Sequence, residues 1–266
     1  MKPFILEQGS APLLVSMPHV GTQLPDDIAM RLTPAARSVP DTDWHLPRLY
    51  DFLGEIGASV LRATHSRFAI DLNRDPSGTP LYPGASNTEL CPTALFDESA
   101  VYVSGTGPDE REIAQRRTTI WDPYHRELAN ELERLRSLHG IALLLDAHSI
   151  RSRVPRFFEG TLPDLNLGTG GGSSADPRLA RTLLRVCESH ARYTSVLDGR
   201  FKGGYITRHY GNPAAGVHAV QLEIAQCTYM DETPPFAFDE ARAAALRPLL
   251  RAFVAAMLDF AKTRGR

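Results

Sequence analysis

The chain has little of several features that would mark it as a member of a large protein class. It contains three cysteines in 266 residues, far apart and without a CxxC pair, which argues against a disulfide framework or a cysteine zinc site. No apolar run approaches the roughly 20 residues of a membrane span, and the first residues lack the apolar core of a signal peptide. The net charge of −2 excludes the basic field of a general nucleic-acid binder. We therefore expect a cytoplasmic protein without membrane or nucleic-acid partners.

The usual signatures of two hydrolase classes are also absent. The sequence has no HExxH motif, so spacing alone does not identify a metalloprotease helix. Ser149 is not set in the G-x-S-x-G elbow of a serine hydrolase, which disfavours a serine nucleophile. A thiol enzyme acting through Cys91 or Cys227 is a third alternative, and full activity after alkylation of the thiols would remove it.

What the chain does contain is an alternation of short apolar runs with helical periodicity. The runs at Leu13–Met17 and at 141–145 predict buried strands. Apolar residues three and four apart predict amphipathic helices over 109–139 and 239–262, the first kinked or split by Pro123. Strands that alternate with helices indicate an α/β domain with a largely parallel sheet. No shift in composition marks a boundary, so we predict a single domain over residues 1–266.

Four further segments lead to expectations about the fold. The apolar run at residues 68–72 predicts a strand. Residues 76–108 are rich in glycine, proline, serine and threonine, and a connection of this length predicts an ordered active-site loop. The glycine-rich stretches 155–174 and 203–212 also predict loops.

Two of the predicted strands end in a histidine, which suggests a metal site. Leu13–Met17 is followed by His19, and the strand from residue 141 continues to His148. Parallel strands bring their carboxyl ends to one edge of the sheet, where ligands collect. A catalytic zinc takes three protein ligands and keeps one position for water. We therefore predict one divalent metal, preferably zinc, on His19, His148 and a carboxylate.

The carboxylate has to come from another segment, and two acids compete for the role. Asp43 is favoured over Asp41, and both lie at the start of a predicted helix. Neighbouring carboxylates such as Asp146 would orient the histidine rings from behind. Six other histidines remain possible substitutes: His45, His65, His125, His190, His209 and His218.

Several short motifs in this order resemble those of the N-formylglutamate amidohydrolase family, and the resemblance extends from about Met17 to Leu258. That family is related to zinc carboxypeptidases and aspartoacylases. The motifs are Pro18-His19-Val20-Gly21, Asp43-Trp44, Asp71-Leu72-Asn73-Arg74, Asp146-Ala147-His148-Ser149, the segment 201–211 and Gln221-Leu222-Glu223-Ile224.

The resemblance implies a fold and a set of roles. The fold would be a three-layer α/β/α phosphorylase/hydrolase-like domain with a mixed, largely parallel central sheet and one zinc ion. Asn73 and Arg74 would bind a substrate carboxylate, Arg67 would polarise the scissile carbonyl, and Glu223 would act as the general base. The carboxypeptidase pattern places a glutamate ligand three residues after the first histidine, where this chain has Thr22, so Asp43 is carried over instead.

The implied reaction is hydrolysis of N-formyl-L-glutamate to L-glutamate and formate, the last step of histidine degradation. This small anionic substrate has two carboxylates, and planar guanidinium groups bind carboxylates through paired hydrogen bonds. We therefore expect Arg208, with Thr207 and Lys202 beside it, to bind the second carboxylate. The alternatives are a related zinc amidase or carboxypeptidase for another N-acyl amino acid, and a carboxylate-binding protein without catalysis.

Overall fold

The computed structural model describes residues 2–81, 84 and 86–263, and within them one mixed sheet forms the centre of the molecule. The seven strands lie in the order β1-β3-β2-β4-β7-β5-β6. The central strands β3, β2, β4 and β7 are parallel, whereas β1 is antiparallel to β3 and β5 is antiparallel to β7. In chain order the strands are β1 Phe4–Glu7, β2 Leu13–Met17, β3 Ser59–Ala63, β4 Ala142–Ile150, β5 Leu165–Gly168, β6 Ser195–Leu197 and β7 Val217–Ala225.

Helices connect these strands, and aspartates begin several of them. The side chains of Asp109, Asp176 and Asp239 accept hydrogen bonds from backbone N–H groups of the first helical turn, which would otherwise lack partners. The α-helices are α1 Asp26–Ala29, α2 Pro34–Arg37, α3 Leu46–Leu49, α4 Glu110–Arg116, α5 Asp122–His139, α6 Pro177–Glu188, α7 Tyr205–Tyr210 and α8 Glu240–Lys262.

The helical segment that contains Pro123 is divided, as the sequence predicts. A π-helical stretch, Arg117–Trp121, separates α4 from α5, and Pro123 lies in the first turn of α5. Proline has no N–H to donate to the preceding turn, so a widened turn just before it relieves the misfit. Helix α5 ends at Gly140, whose φ of 72° turns the chain towards β4.

Strand β4 shows how the sheet separates two apolar layers. Its side chains point alternately to the two faces. Leu143, Leu145 and Ala147 pack with residues of α6 and α8 on one face, and Ala142 and Leu144 pack with residues of α5 on the other. The predicted three-layer α/β/α arrangement with a mixed, largely parallel sheet is therefore confirmed. None of the helices in the described part of the chain combines the length and apolar character that crossing a membrane requires.

Three local predictions were wrong. Residues 68–72 are buried but form turns rather than a strand, because their apolar side chains fill the core while the backbone N–H of Asp71 bonds to the carbonyl of Leu90 in a loop. The predicted loop 203–212 contains helix α7, and the predicted loop 155–174 contains strand β5. The apolar pattern therefore predicted correctly that residues 68–72 are buried, but it did not predict whether their backbone pairs with another strand.

The parallel strands β2, β4 and β7 bring polar residues to the carboxyl edge of the sheet. In the strand register Asp146 lies beside Ser16 and Gln221, and His148 lies beside Glu223. These side chains are buried although they are polar. Buried polar groups are costly unless they are paired, so this edge of the sheet is where a functional site is expected.

Candidate active site

A small cavity of about 60 Å³ opens at the carboxyl edge of the sheet. One side is polar and includes the two predicted metal-binding histidines. The other side is an apolar wall, in which the rings of Phe96 and Phe157 meet edge to face with centroids 5.1 Å apart. The described residues that line the cavity are His19, Asp43, Arg67, Asn73, Arg74, Leu81, Phe96, His148, Ser149, Ile150, Phe157, Phe201, Gly204, Gln221 and Glu223.

The structure brings the three predicted metal ligands together. His19, Asp43 and His148 are all buried and each offers one ligand atom, and these atoms lie within 4.8 Å of one another. Asp43 Oδ2 is 2.9 Å from His148 Nδ1 and 3.9 Å from His19 Nδ1. Two imidazole nitrogens and one carboxylate oxygen around a common point form the donor set of a catalytic zinc site.

Asp41, the competing acid, faces away from the histidines. Its Oδ2 accepts a hydrogen bond from the backbone N–H of Phe96 at 2.8 Å, and its Oδ1 lies 3.2 Å from the Arg151 guanidinium. Asp41 therefore fixes the loop that carries the apolar wall. Of the two acids, only Asp43 belongs to the histidine group in the described part of the chain.

A second carboxylate stands behind each histidine. His19 Nε2 lies 2.7 Å from Asp71 Oδ1, and His148 Nε2 lies 3.2 Å from Asp146 Oδ1. Both rings therefore turn their Nδ1 atoms towards Asp43, as paired carboxylates and histidines do in metal sites. The contact of Asp146 agrees with the sequence prediction. Asp71 was given no role, although its position two residues before Asn73 in the motif was a usable signal.

The electrostatics of this corner act on the two histidines in opposite directions. Burial alone would lower the pKa of His148, but Asp146 and Asp43 outweigh it and hold that pKa well above its usual value. Burial and the Arg67 guanidinium lower the pKa of His19. Metal ions and protons compete for the same imidazole nitrogens, so a metal ion would replace the proton that the two carboxylates hold on His148.

Glu223 lies beside the metal-ligand group and is a buried acid without an arginine partner. Among the described residues, no arginine or lysine lies within ion-pair distance of its carboxylate, and Gln221 Nε2 donates to its Oε2 at 3.1 Å. Burial is the largest influence on the pKa of Glu223 and, with the negative charges of Asp43 and Asp146, raises it to about 8 against the opposing positive charges of His148 and Arg67. A carboxyl group with such a pKa can both take and return a proton near neutral pH.

Two of the predicted arginines line the cavity. One terminal nitrogen of Arg67 donates to Asp71 Oδ2 at 2.6 Å, while its buried Nε has no hydrogen-bond partner. The Arg67 guanidinium also lies 4.9 Å from the ring centroid of Phe96. Arg74 Nε donates to the backbone carbonyl and the hydroxyl of Thr88, both at 3.1 Å. The two guanidinium groups are thus held in place at the cavity.

Asn73 lines the cavity, but its amide is engaged within the protein. Its Oδ1 accepts from the backbone N–H of Ile206 at 2.8 Å, and its Nδ2 lies 2.9 Å from His148 Nε2 and 3.3 Å from Asp146 Oδ2. The Asn73 amide is therefore engaged within the protein, and its role in binding a substrate carboxylate stays a prediction.

The described residues that line the cavity do not include Lys202, Thr207 or Arg208. The buried Thr207 hydroxyl donates to Asp146 Oδ2 at 3.2 Å, Arg208 Nε donates to the carbonyl of Gly203 at 2.8 Å, and Lys202 is exposed. Because residues 205–210 form a helix rather than the expected loop, only the Gly204 end of this segment reaches the cavity. Their predicted role in binding the second substrate carboxylate stays a prediction.

Comparisons with known proteins agree on one family. The family model for N-formylglutamate amidohydrolase matches residues 11–230. N-formylglutamate deformylases from Pseudomonas aeruginosa and Pseudomonas putida are both 51% identical to this chain. Each match covers 97% of this chain. It covers 97% of the P. aeruginosa protein and 96% of the P. putida protein. The crystal structure of N-formylglutamate amidohydrolase from Ralstonia eutropha JMP134 superposes with a TM-score of 0.82 at 26% identity and covers 100% of both chains. The chain therefore belongs to the N-formylglutamate amidohydrolase family.

Proposed function

We propose that this protein is a metal-dependent amidohydrolase that converts N-formyl-L-glutamate to L-glutamate and formate. The observation that carries the proposal is the convergence of His19, Asp43, His148 and Glu223 on one small cavity. The relatives that share half of its sequence are named for this deformylation. In a cell the reaction would be the last step of histidine degradation, which is what the family resemblance implies.

The metal ion would be held by three atoms: His19 Nδ1, Asp43 Oδ2 and His148 Nδ1. Two nitrogen donors and one oxygen donor fit zinc better than magnesium or calcium, which prefer oxygen ligands. Asp71 and Asp146 hold the two rings with their Nδ1 atoms directed inwards, so no large rearrangement is needed for binding. When bound by these residues, a divalent ion would supply Lewis acidity and would make the attacking water more acidic.

The chain's own residues provide proton transfer and charge stabilisation. Glu223 takes a proton as the water oxygen bonds to the formyl carbon, and it returns the proton to the amide nitrogen as the carbon–nitrogen bond breaks. Arg67, with its unpartnered buried Nε, stabilises the negative charge that develops on the carbonyl oxygen. Arg74 binds a substrate carboxylate with its planar guanidinium.

The apolar wall of the cavity favours a small acyl group. The rings of Phe96 and Phe157 form that wall and limit expansion on the apolar side. One additional methyl group in such a pocket typically changes specificity by roughly 10- to 200-fold. We therefore expect formyl substrates to be preferred over acetyl substrates.

Formate or acetate release from three compounds tests the proposal: N-formyl-L-glutamate, N-acetyl-L-glutamate and N-formyl-L-aspartate. We expect the first to give the highest kcat/KM, chelation to abolish its hydrolysis, and added zinc to restore it. A protein that releases no formate from N-formyl-L-glutamate after zinc reconstitution would contradict the substrate assignment. Activity that survives complete metal removal would contradict the metal-dependent mechanism.

A further inference from the structure

Gln221 is a buried side chain of the cavity wall to which the sequence motifs assign no role. It lies two residues before Glu223 on β7, so both side chains point to the same face of the sheet. Its amide connects two elements: Oε1 accepts from the backbone N–H of Gly204 at 2.7 Å, and Nε2 donates to Glu223 Oε2 at 3.1 Å.

The bonding partners fix which way the Gln221 amide faces. A backbone N–H can only donate, so the atom that faces Gly204 must be the carbonyl oxygen. The NH₂ group is then directed to Glu223, whose Oε2 accepts the hydrogen bond. The reversed amide would place a donor against a donor and an acceptor against an acceptor, which is unfavourable at both ends.

The amino end of helix α7 orients a second amide in the same way. The backbone N–H of Ile206 donates to Asn73 Oδ1, which leaves the Asn73 NH₂ group to donate to Asp146 Oδ2. A side chain at position 204 would obstruct this arrangement, because a Cβ atom there would lie 2.2 Å from Asn73 Nδ2. Glycine at this position therefore lets the backbone approach both amides closely.

Gln221 is the side-chain donor to Glu223 among the described residues. A glutamate side chain has three rotatable bonds, and ordering it costs conformational entropy. A fixed amide that engages Oε2 holds the carboxylate in one orientation, and Oε1 accepts no side-chain hydrogen bond from the described residues. Proton transfer is sensitive to this orientation because the base must lie within hydrogen-bond reach of the proton it takes.

We propose that Gln221 is a positioning residue that holds Glu223 in its proton-transfer orientation. The proposal rests on the role of Glu223 under the proposed function. Loss of a hydrogen bond to a charged group corresponds to roughly a 10- to 100-fold change. We expect Gln221→Met to lower kcat by about that factor, while KM changes less than about 3-fold because the substrate contacts stay in place.

Gln8 offers a matched control far from the cavity. Its Nε2 donates to the buried Glu131 Oε2, also at 3.1 Å, and Gln8→Met removes the same kind of hydrogen bond without touching the site. Gln221→Glu provides a second variant: it keeps an acceptor for Gly204 but replaces the donor to Glu223. The measurements are kcat, KM, zinc content and thermal unfolding of the reconstituted proteins.

The proposal is supported if both Gln221 variants lose kcat, retain zinc and unfold cooperatively, while Gln8→Met keeps the parent kcat. It is overturned if Gln221→Met keeps the parent kcat, or if the loss appears in KM alone, which would make Gln221 a substrate contact. Crystal structures of the parent and Gln221→Met give a readout that does not depend on the substrate. If Glu223 adopts the same conformer in both crystal structures, the proposal is overturned, whether or not the parent releases formate. Failure of the parent to release formate would count only against the proposed function.

Discussion

Glu131 and Glu223 are both buried glutamates, but they lie at opposite edges of the sheet and have different neighbours. At the amino edge, Glu131 accepts hydrogen bonds from Ser59, Gln8 and two nitrogens of Arg134. Burial alone would raise the pKa of Glu131, but these donors together lower it. At the carboxyl edge, the pKa of Glu223 is instead raised to about 8.

The difference separates a structural carboxylate from a reactive one. Arg134 neutralises the charge of Glu131, and both carboxylate oxygens already accept hydrogen bonds. Neither oxygen is therefore available to accept a proton from a substrate. Glu223 lies deeper, has one side-chain donor, and has a pKa that burial raises, so its protonated and ionised forms are close in free energy near neutral pH. The same residue type therefore has a different chemistry because its depth of burial and its hydrogen-bond donors differ.

The largest expected effect comes from removing the carboxylate that joins the two histidines. Asp43→Ala should lose the metal and with it on the order of 10⁴-fold or more in kcat/KM, because both Lewis acidity and water activation depend on the metal. Asp41→Ala is the matched control, since Asp41 bonds to Phe96 and Arg151 instead, and it should retain the metal. Metal analysis and formate release check both variants. Metal retained by Asp43→Ala but lost from Asp41→Ala would reverse the ligand assignment.

The next effect compares the two glutamates directly. Glu223→Gln should lower kcat by roughly 10²- to 10⁴-fold, the usual contribution of a general acid–base group, and should retain zinc. Glu131→Gln should leave kcat close to that of the parent, because Glu131 lies at the other edge of the sheet. Steady-state kinetics of the zinc-loaded proteins provide the measurement. Equal losses of kcat in the two variants would show that the effect is structural.

The smallest effect concerns stability in acid. Because the folded-state pKa of Glu131 lies below its ordinary value of 4.5, its contribution to stability is fully present above pH 4.5 and is lost as the pH falls through the folded-state pKa. Glu131→Gln should therefore cost about 1–3 kcal/mol at pH 7 and progressively less below pH 4.5. Denaturant unfolding of both proteins at several pH values measures this. A deficit that stays constant down to pH 3 would contradict the assignment.

Much of the fold was predictable because strands and long helices have a regular period. The apolar runs around Leu13–Met17 and Ala142–Ile150 predicted buried parallel strands, and both histidines at their ends were placed correctly. The short helix α7 was missed because it lies in a glycine-rich segment and has only six residues, too few for a clear helical pattern. Strand β5 was missed for the same reason, since it has four residues beside a cluster of glycines.

The sequence by itself determined which polar residues end the central strands, because alternation along a strand and the shared carboxyl edge follow from local geometry. Only the tertiary structure placed Asp43 rather than Asp41 beside the two histidines, and gave Asp71, Asn73 and Gln221 their partners. The segment around Asp43 has no regular period: Val39 and His45 adopt left-handed φ values of 45° and 62°. Side-chain direction in such a segment depends on contacts with residues distant in sequence, as with Phe96 for Asp41 and His148 for Asp43.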